Sequence, residues 1–338
     1  MTKRVTIADV AKEAGVSMMT VSRAINDKGE ISETTKQRIL EIAKQMGYRP
    51  SGLARGLVTQ RTTTVGLVVP DIANPFFSQI ARGVEDVAYA NGYNLFLLNT
   101  IEDVDRECAA LDSLWEKQVD GLILCSSRLQ QESLVERLRQ FRYVVLVNRI
   151  LQSAVDGVCT INVDDTAGAC QAMDYLLESG RETIAFIAGP QQSLSGQQRL
   201  AGYQQSLRNH GRPVPAQLVA HCEPDTEGGY GAAMTLLAAH PQVTAVFAFN
   251  DLVAVGVLQA CKELGRRVPQ DIAIIGSDDI PLASLVTPSL TTLRVAKRHL
   301  GTTAMSTLLH LIKQNSLPPA ADQTIHPQLI LRDSTPSS

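Results

Sequence analysis

Two adjacent methionines, Met18 and Met19, stand between a serine and a threonine in the segment VSMMTVSRAIND. Such side chains could read DNA, because thymine presents a C5-methyl group in the major groove and the unbranched methionine adapts to irregular apolar surfaces. They could equally pack on a neighbouring helix. Helical spacing alone leaves both interpretations open.

A second set of polar and aromatic residues follows short apolar runs further along the chain. This set comprises Asp71, Asn74, Phe76, Asn148, Ser195, Arg199, Asn250 and Asp278. An arginine and an aspartate can bridge adjacent hydroxyls while a phenylalanine contacts a ring face, so the set suits a neutral polyhydroxylated ligand. Any single Asn, Asp or Ser could instead cap the helix that follows it.

Three short helices are predicted within residues 6–46. Thr6 can cap the first helix, Gly15 can end it in the left-handed conformation, and Ser17 and Ser32 can cap the next two. Two short helices joined by a glycine-containing turn and followed by a third form a helix-turn-helix. We therefore predict a DNA-binding head.

The phase of the second helix decides which residues face outward. If Val21 and Ile25 face the core, the outward set is Met18, Met19, Ser22 and Asn26, with Arg23 at its margin. In a helix-turn-helix this face enters the major groove. The charge distribution agrees with DNA binding by the head. Residues 1–60 hold ten Lys and Arg against six Asp and Glu, a net +4, whereas the rest of the chain holds 21 against 28, a net −7.

From residue 63 onward, apolar runs alternate with amphipathic segments in two series of similar length. This pattern predicts two parallel-sheet subdomains with a cleft beyond the carboxyl ends of their strands. The sequence has no long uncharged apolar run, no leader pattern, no CxxC pair, no metal-ligand spacing and no glycine-rich phosphate fingerprint. We expect a cytoplasmic protein without metal or cofactor that is not an enzyme.

The stretch Val10–Asn26 matches VAxxAGVSxxTVSRxxN residue for residue and resembles the lactose repressor/galactose repressor family of bacterial transcription regulators. The resemblance implies that Met18 and Met19 set operator specificity. It also implies a hinge helix whose Leu57 enters the minor groove at the centre of the operator. The implied DNA-binding positions are Thr6, Ser17, Met18, Met19, Thr20, Ser22, Arg23, Asn26, Tyr48, Ala54, Arg55 and Leu57.

The resemblance extends over the body in the runs NPFF, VDGLIL, RLAGY, AVFAFNDLVAVG, VPQDIAIIGSDD and TPSLTT. The run DIPLASLVTPSLTT, together with NPFF and LLNT, is most similar to the ribose and purine repressor branches. The ligand positions implied by the family are Asn74, Phe76, Cys125, Asn148, Ser195, Arg199, Asn250 and Asp278. Two departures concern the ligand's identity: Pro224 stands where some relatives carry a stacking aromatic residue, and Val295 where many carry glutamine. The chain has no leucine heptad at its end, so a homodimer is expected.

The sequence therefore predicts a small all-α helix-turn-helix head on an α/β periplasmic-binding-protein-like body. The predicted domains are residues 1–50 for the head, 51–62 for the hinge, and 63–334 for effector binding and dimerisation. Within the body, subdomain 1 takes 63–162 and 295–322, and subdomain 2 takes 163–292 and 323–334.

The predicted function is that of a transcription regulator, a repressor, which binds a pseudo-palindromic operator as a homodimer. Its partners are double-stranded operator DNA and a small ligand: a sugar or sugar derivative, a nucleoside or a purine-like compound. Two alternatives remain. One is a sugar-handling enzyme or sugar-binding transport protein. The other is a regulator gated by a docked protein partner, as the resemblance implies for the catabolite-control branch of the family, in which a phosphorylated carrier protein docks on the surface.

Overall fold

The computed structural model describes residues 5–25, 31–48, 61–316 and 322–336. The chain divides into two compact units, Met1–Thr63 and Thr64–Ser338, called the head and the body below. The α-helices within the described ranges are α1 (Ile7–Ala14), α2 (Met18–Ile25), α3 (Glu33–Gln45), α4 (Pro75–Ala90), α5 (Val104–Glu116), α6 (Gln131–Leu138), α7 (Asp165–Glu178), α8 (Leu194–Asn209), α9 (Thr226–Ala239), α10 (Asp251–Glu263) and α11 (Lys297–Gln314).

The strands in these ranges form two sheets. They are β1 (Thr64–Val69), β2 (Asn94–Asn99), β3 (Gly121–Cys125), β4 (Val144–Val147), β5 (Val158–Val163), β6 (Ile184–Ala188), β7 (Val219–His221), β8 (Ala245–Ala248), β9 (Ala273–Asp278), β10 (Thr291–Arg294), β11 (Gln323–Ile325) and β12 (Gln328–Ile330). The first sheet has the order β11-β5-β4-β3-β1-β2, and the second has the order β12-β10-β9-β8-β6-β7.

The head is a three-helix unit around a small apolar core. Val10, Val21 and Ile39 contribute one fully buried side chain from each helix. Gly15, at φ +65°, ends α1 in the left-handed conformation that glycine adopts without strain. The predicted helix-turn-helix is confirmed.

The two sheets of the body repeat one topology. All strand pairs in the first sheet are parallel, and in the second sheet only the edge strand β12 runs antiparallel to β10. In each sheet the chain begins at an inner strand, adds one neighbour on one side, and then continues on the other side. This reversal opens a crevice at the carboxyl ends of the first and third strands of each series, where open α/β sheets bind ligands.

Helices α4 and α11 both pack on the first sheet and lie close to each other, because glycines remove side chains where the two helices meet. A Cβ on Gly83 would lie 2.2 Å from the Arg298 carbonyl oxygen, and one on Gly301 would lie 2.1 Å from the Ile80 carbonyl oxygen. Helix α11 follows a strand of the second sheet yet packs in the core of the first. The chain thus crosses between the sheets before α11.

The return crossing differs from the sequence prediction. Strand β11 pairs with β5 in the first sheet, although residues 323–334 are predicted to lie in the second subdomain. The crossing therefore falls between Ile325 and Gln328. The reason is the brevity of both strands: each has three residues, and only His326 and Pro327 separate them, which gives the sequence little signal for a boundary.

Candidate functional site

The first helix turn of α2 presents its two methionines to solvent. Met18 and Met19 are 56% and 64% exposed, whereas Val21 is fully buried and Ala24 is 2% exposed. The predicted outward phase is confirmed for Met18 and Met19, and the alternative in which the pair packs on the first helix is wrong. Two large exposed apolar side chains on one helix end form a surface suited to apolar contact with a groove.

Capping hydrogen bonds stabilise the starts of α1 and α2, the helix that carries this face. Ser17 Oγ accepts the Thr20 backbone N–H at 3.1 Å, which caps the start of α2. The Thr6 backbone N–H donates to the Asp9 carboxylate at 2.8 Å in a capping box at the start of α1. Thr6 and Ser17 thus lie at helix starts, where caps are worth about 1 kcal/mol each.

The other predicted DNA-binding positions of the head have varied surroundings. Ser22 and Arg23 are half-buried beside the methionines, and Tyr48 is half-buried against the head core. Arg38 donates to the Ala14 carbonyl at 2.8 Å, so this cation stabilises the end of α1. The predictions for Asn26, Ala54, Arg55 and Leu57 lie outside the described residues.

The body holds a polar cleft between the carboxyl edges of its two sheets. Side chains from the first sheet's loops and from the second sheet's loops line it together. The lining residues are Asn74, Phe76, Phe77, Glu102, Ser126, Arg128, Asn148, Ser193, Ser195, Arg199, Pro224, Phe249, Asn250 and Asp278. The structure therefore brings together seven predicted ligand positions: Asn74, Phe76, Asn148, Ser195, Arg199, Asn250 and Asp278.

Arg199 is the centre of the second-sheet wall. Its side chain is 4% exposed, and Nε donates to Asp165 Oδ1 at 2.9 Å while NH2 lies 3.4 Å from Asp278 Oδ1. NH1 donates to the Phe249 carbonyl, and the guanidinium lies 5.2 Å from the Phe249 ring centroid. Burial opposes the charge of Arg199, but the two carboxylates outweigh it and raise its pKa. The guanidinium is thus charged and held in one orientation.

Two carboxylates near Arg199, those of Asp278 and Asp251, have raised pKa values. Burial raises the pKa of Asp278 to about 6, against the opposing effects of Arg199 and Lys297. Burial, with the neighbouring Asp278, raises the pKa of Asp251 to about 8. Of the two, Asp278 has the lower pKa and is the carboxylate available as a hydroxyl acceptor.

Two asparagines cap helices and also line the cleft. Asn74 Oδ1 accepts the Phe76 N–H at 2.9 Å at the start of α4, and Asn250 Oδ1 accepts the Val253 N–H at 2.8 Å at the start of α10. Both residues also line the cleft. Capping and ligand binding are therefore compatible, because capping uses Oδ1 and leaves the side-chain amide N–H groups for other partners. In Asn250 that amide donates to the Pro224 carbonyl at 3.0 Å.

Two predicted ligand positions do not line the cleft. Asp71 Oδ1 accepts the Ala73 N–H at 3.0 Å in a local turn, and Asp71 is not among the residues that line the cleft. Cys125 is 2% exposed in the apolar core of the first sheet, where burial raises the pKa of its thiol to about 12. Val295, one of the two family departures, is likewise buried in that core.

Sequence reasoning missed two charged residues on the first-sheet wall. Glu102 follows β2 and Arg128 follows β3, and both line the cleft as an ion pair. The available signal was their position three residues after the end of a strand, the exposed edge strand β2 for Glu102 and the buried strand β3 for Arg128. Asp165, the partner of Arg199, was missed because it opens a helix and reads as an ordinary cap.

Other kinds of site find no support in the described part of the chain. No helix there is long and apolar enough to cross a membrane. No group of His, Cys, Asp and Glu side chains in the same residues is arranged to hold a metal ion.

A helix-turn-helix with an exposed recognition face, followed by two doubly wound sheets around a polar cleft, defines a DNA-binding transcription regulator with a ligand-binding body. Comparison with known families agrees. Residues 6–51 match the bacterial regulatory proteins of the lacI family, and residues 62–330 match the periplasmic binding proteins and sugar binding domain of the LacI family. The chain belongs to the LacI family.

Relatives cover nearly the whole chain. The ribose operon repressor of Escherichia coli (strain K12) is 38% identical over 92% of this chain and 94% of its own. Catabolite control protein A of Priestia megaterium is 34% identical over 98% of this chain and 99% of its own. Both are full-length matches, so head and body share one family history.

Solved structures agree with the fold. The Lac repressor dimer bound to operator and the anti-inducer ONPF has a TM-score of 0.87 and 26% identity over 99% of this chain and 100% of its own. The complex of the transcriptional regulator CelR with cellobiose has a TM-score of 0.74 and 30% identity over 98% and 100%. The periplasmic-binding-protein-like body predicted from the sequence is confirmed.

Proposed function

We propose that this regulator is a homodimeric repressor that binds an inverted-repeat operator and is switched by a neutral polyhydroxylated ligand in the cleft. The observation that carries the proposal is the buried Arg199–Asp278 pair, which places a donor fork and a carboxylate acceptor side by side at the cleft wall. Adjacent sugar hydroxyls can accept from the one and donate to the other. Ribose, bound in a solved structure of a LacI family transcriptional regulator from Enterococcus faecium, and cellobiose, bound to CelR, are compounds of this class.

The head reads the operator through α2. Met18 and Met19 contact thymine methyl groups in the major groove, while Ser17, Thr20, Ser22 and Arg23 supply phosphate and base-edge contacts. Thr6, Asn26 and Tyr48 complete the head's share of the interface. Ala54, Arg55 and Leu57 are proposed as the minor-groove contacts of the hinge.

An exposed sheet edge supports the dimer. Strand β2 lies at the edge of the first sheet and leaves Phe96 and Leu97 each 42% exposed, and Trp115 on the nearby helix α5 is 54% exposed. A monomer rarely leaves an apolar edge strand open, because it is a template for association. Two copies related by a two-fold axis would cover this edge and present two recognition helices to inverted half-sites.

The switch follows from a ligand that contacts both walls of the cleft. Asn74 and Phe76 belong to the first-sheet wall, and Arg199 and Asp278 to the second. A ligand held by both walls favours the closed cleft over the open one, and only this difference in affinity can move the equilibrium. The protein acts by binding in the cytoplasm, with no reaction of its own.

The test joins both sites in one assay. An operator is first selected from a random DNA library, and its affinity is then measured by fluorescence anisotropy with and without sugars, nucleosides and purine bases. The proposal requires an inverted-repeat operator and at least one sugar that changes operator affinity about 5- to 150-fold. A regulator that answers only to a nucleobase, or to no small molecule, contradicts the proposed ligand class.

A second candidate function is control by a docked protein partner, which is favoured by the 34% identity with Catabolite control protein A. In that case the cleft ligand is secondary. The two candidates separate on Arg199→Ala: the response to a sugar is lost under the first, while the response to a phosphorylated carrier protein persists under the second.

A further inference from the structure

The ion pair on the first-sheet wall has a form that suggests a role in ligand selection. We propose that Glu102, held in place by Arg128, is a specificity-determining residue that accepts a hydrogen bond from a ligand hydroxyl. The proposal rests on the proposed function, in which the cleft binds a neutral polyhydroxylated ligand. It adds a second acceptor, on the wall opposite Asp278.

The pair is a two-pronged fork. Arg128 Nε donates to Glu102 Oε2 at 2.6 Å, and NH2 donates to Oε1 at 3.0 Å. Arg128 NH1 donates to the Ser126 carbonyl at 2.8 Å, so the guanidinium is fixed at three points. Each carboxylate oxygen of Glu102 keeps one lone-pair position beyond the fork, and Arg128 keeps two N–H groups.

The topology explains why these residues meet at the cleft. Glu102 follows β2 and Arg128 follows β3, and these two strands flank β1 in the first sheet. The pair therefore spans the carboxyl end of β1, directly after which Asn74 and Phe76 enter the same cleft. Its two side chains are only 14% and 6% exposed.

Unusual backbone conformations hold both ends of the fork. Ile101 and Glu102 have φ values of +51° and +57°, and Ser126 has +48°. Non-glycine residues adopt this left-handed region at an energetic cost, and such residues concentrate at binding sites. A buried ion pair is in addition weak support for stability, because apolar replacements often fold equally well. A role in recognition accounts for both features.

The charges indicate which ligands fit. The cations among the described lining residues are Arg128 and Arg199, and each is already paired with a carboxylate. A phosphate group would find no uncompensated cation there, whereas two fork-and-carboxylate pairs on opposite walls match hydroxyl pairs at opposite edges of an uncharged ring. A free sugar should therefore bind more tightly than its phosphate ester.

The experiment starts with the full-length wild-type chain and a thermal-shift panel of D-ribose, D-fructose, D-glucose and cellobiose, each with its commercially available phosphate ester where one exists. Calorimetry then gives the Kd of the stabilising sugar and of each of its mono-deoxy analogues. The variants are Glu102→Gln, the double variant Glu102→Met with Arg128→Met, and the control Glu132→Gln. Glu132 is an exposed glutamate on α6 outside the cleft.

We expect Glu102→Gln to weaken the parent sugar 10- to 100-fold, the range for a hydrogen bond to a charged group. For one mono-deoxy analogue the same variant has no further effect, because the hydroxyl that Glu102 accepts from is absent. Glu132→Gln keeps the wild-type Kd. The double variant keeps the wild-type melting temperature without sugar and shows the same weakened binding.

Two results overturn the inference alone. Either both Glu102 variants bind the parent sugar with the wild-type Kd, or they weaken the parent and every deoxy analogue by the same factor, as a purely structural residue would. If no sugar of the panel stabilises the wild-type protein, the inference and the proposed ligand class fail together.

Discussion

The recognition face of the head and the cleft of the body hold their binding side chains in opposite ways. Met18 and Met19 are more than half exposed, and the capping bonds of their helix are local ones. Arg199 is 4% exposed and bonded to Asp165, Asp278 and the Phe249 carbonyl, which lie far apart in the chain. The first surface adapts to its partner, and the second is organised before its ligand arrives.

The difference matches the partners. DNA is a large polyanion, so affinity comes from many charge contacts and an adaptable apolar face can refine the sequence preference. A small sugar offers only a few hydroxyls, so the donors and acceptors must already be in place for binding to be tight. Changes in the two regions should therefore have different physical signatures.

Salt should separate the two regions most strongly. Raising the salt concentration from 50 to 200 mM should weaken operator binding by about 10³-fold if about six phosphates are contacted. Sugar affinity should change little, because the cations in the cleft are buried and paired. Anisotropy titrations and calorimetry in the same buffers measure both. Equal salt sensitivity of the operator affinity and the sugar affinity would contradict the proposed difference between the two regions.

Arg199→Ala should be the most damaging single change in the cleft. It leaves Asp165 and Asp278 without their buried cation, so we expect a loss of about 3–5 kcal/mol in the free energy of unfolding and loss of the sugar response. Urea denaturation measures the first effect. Adding Asp165→Asn should recover part of the stability but not the response. A loss below about 1 kcal/mol would mean that the network around Arg199 is not tightly coupled.

Replacing Met18 and Met19 by alanine should change specificity without changing stability. Loss of the methyl contacts should cost about 1–3 kcal/mol at each contacted base pair and little on random DNA. The melting temperature should stay the same because both side chains are exposed. Val21→Ala, at a fully buried position of the same helix, is the contrasting control and should lower stability by about 0.5–3 kcal/mol. Selection from a random library that returns the wild-type site ranking for the double alanine variant would contradict base reading by this pair.

Lower pH should weaken sugar binding through Asp278. Its pKa of about 6 means that the carboxylate is ionised above pH 6 and becomes protonated below it, so the acceptor is lost as the pH falls. Arg199, Lys297, Asp165 and Asp251 are the charged and titratable groups that act on it. We expect about tenfold weaker binding at pH 5 than at pH 7.5. Asp278→Asn should flatten this profile, and a wild-type affinity independent of pH would exclude Asp278 as the acceptor.

The three described helices of the head could be predicted because their signals are local. Thr6, Ser17 and Ser32 cap helices by accepting bonds from residues three positions on, and the spacing of Val21 fixes which face is exposed. Capping and helical period act within a few residues, so a single sequence contains them. In the body, the long buried strands were as easy to predict. Strands β5, β11 and β12 were harder to predict, because β5 is only half-buried in alternation and β11 and β12 have three residues each.

The cleft could be predicted only in part because it is assembled by topology. Asn74 and Asn250 were found since they follow strong strands. Glu102 and Arg128 were not, because a lone charged residue in a loop is usually solvated, and their meeting depends on β2 and β3 flanking β1. Asp71, predicted by the same rule, is not among the lining residues, and its Oδ1 accepts the nearby Ala73 N–H.

Coupling between the cleft and the recognition face is tested most directly by one titration in which sugar binding and operator binding occur together. Operator selected from a random library is bound to the wild-type protein at fixed salt, and the sugar that raises the melting temperature is added while anisotropy is recorded; Arg199→Ala is run beside it. If the cleft controls DNA binding, the sugar should change wild-type operator affinity by at least about fivefold. The Arg199→Ala variant, measured at a temperature where it is folded, should bind the operator with an affinity that the sugar does not change. A sugar that binds the wild-type cleft and leaves operator affinity unchanged would contradict control of operator binding by the cleft ligand.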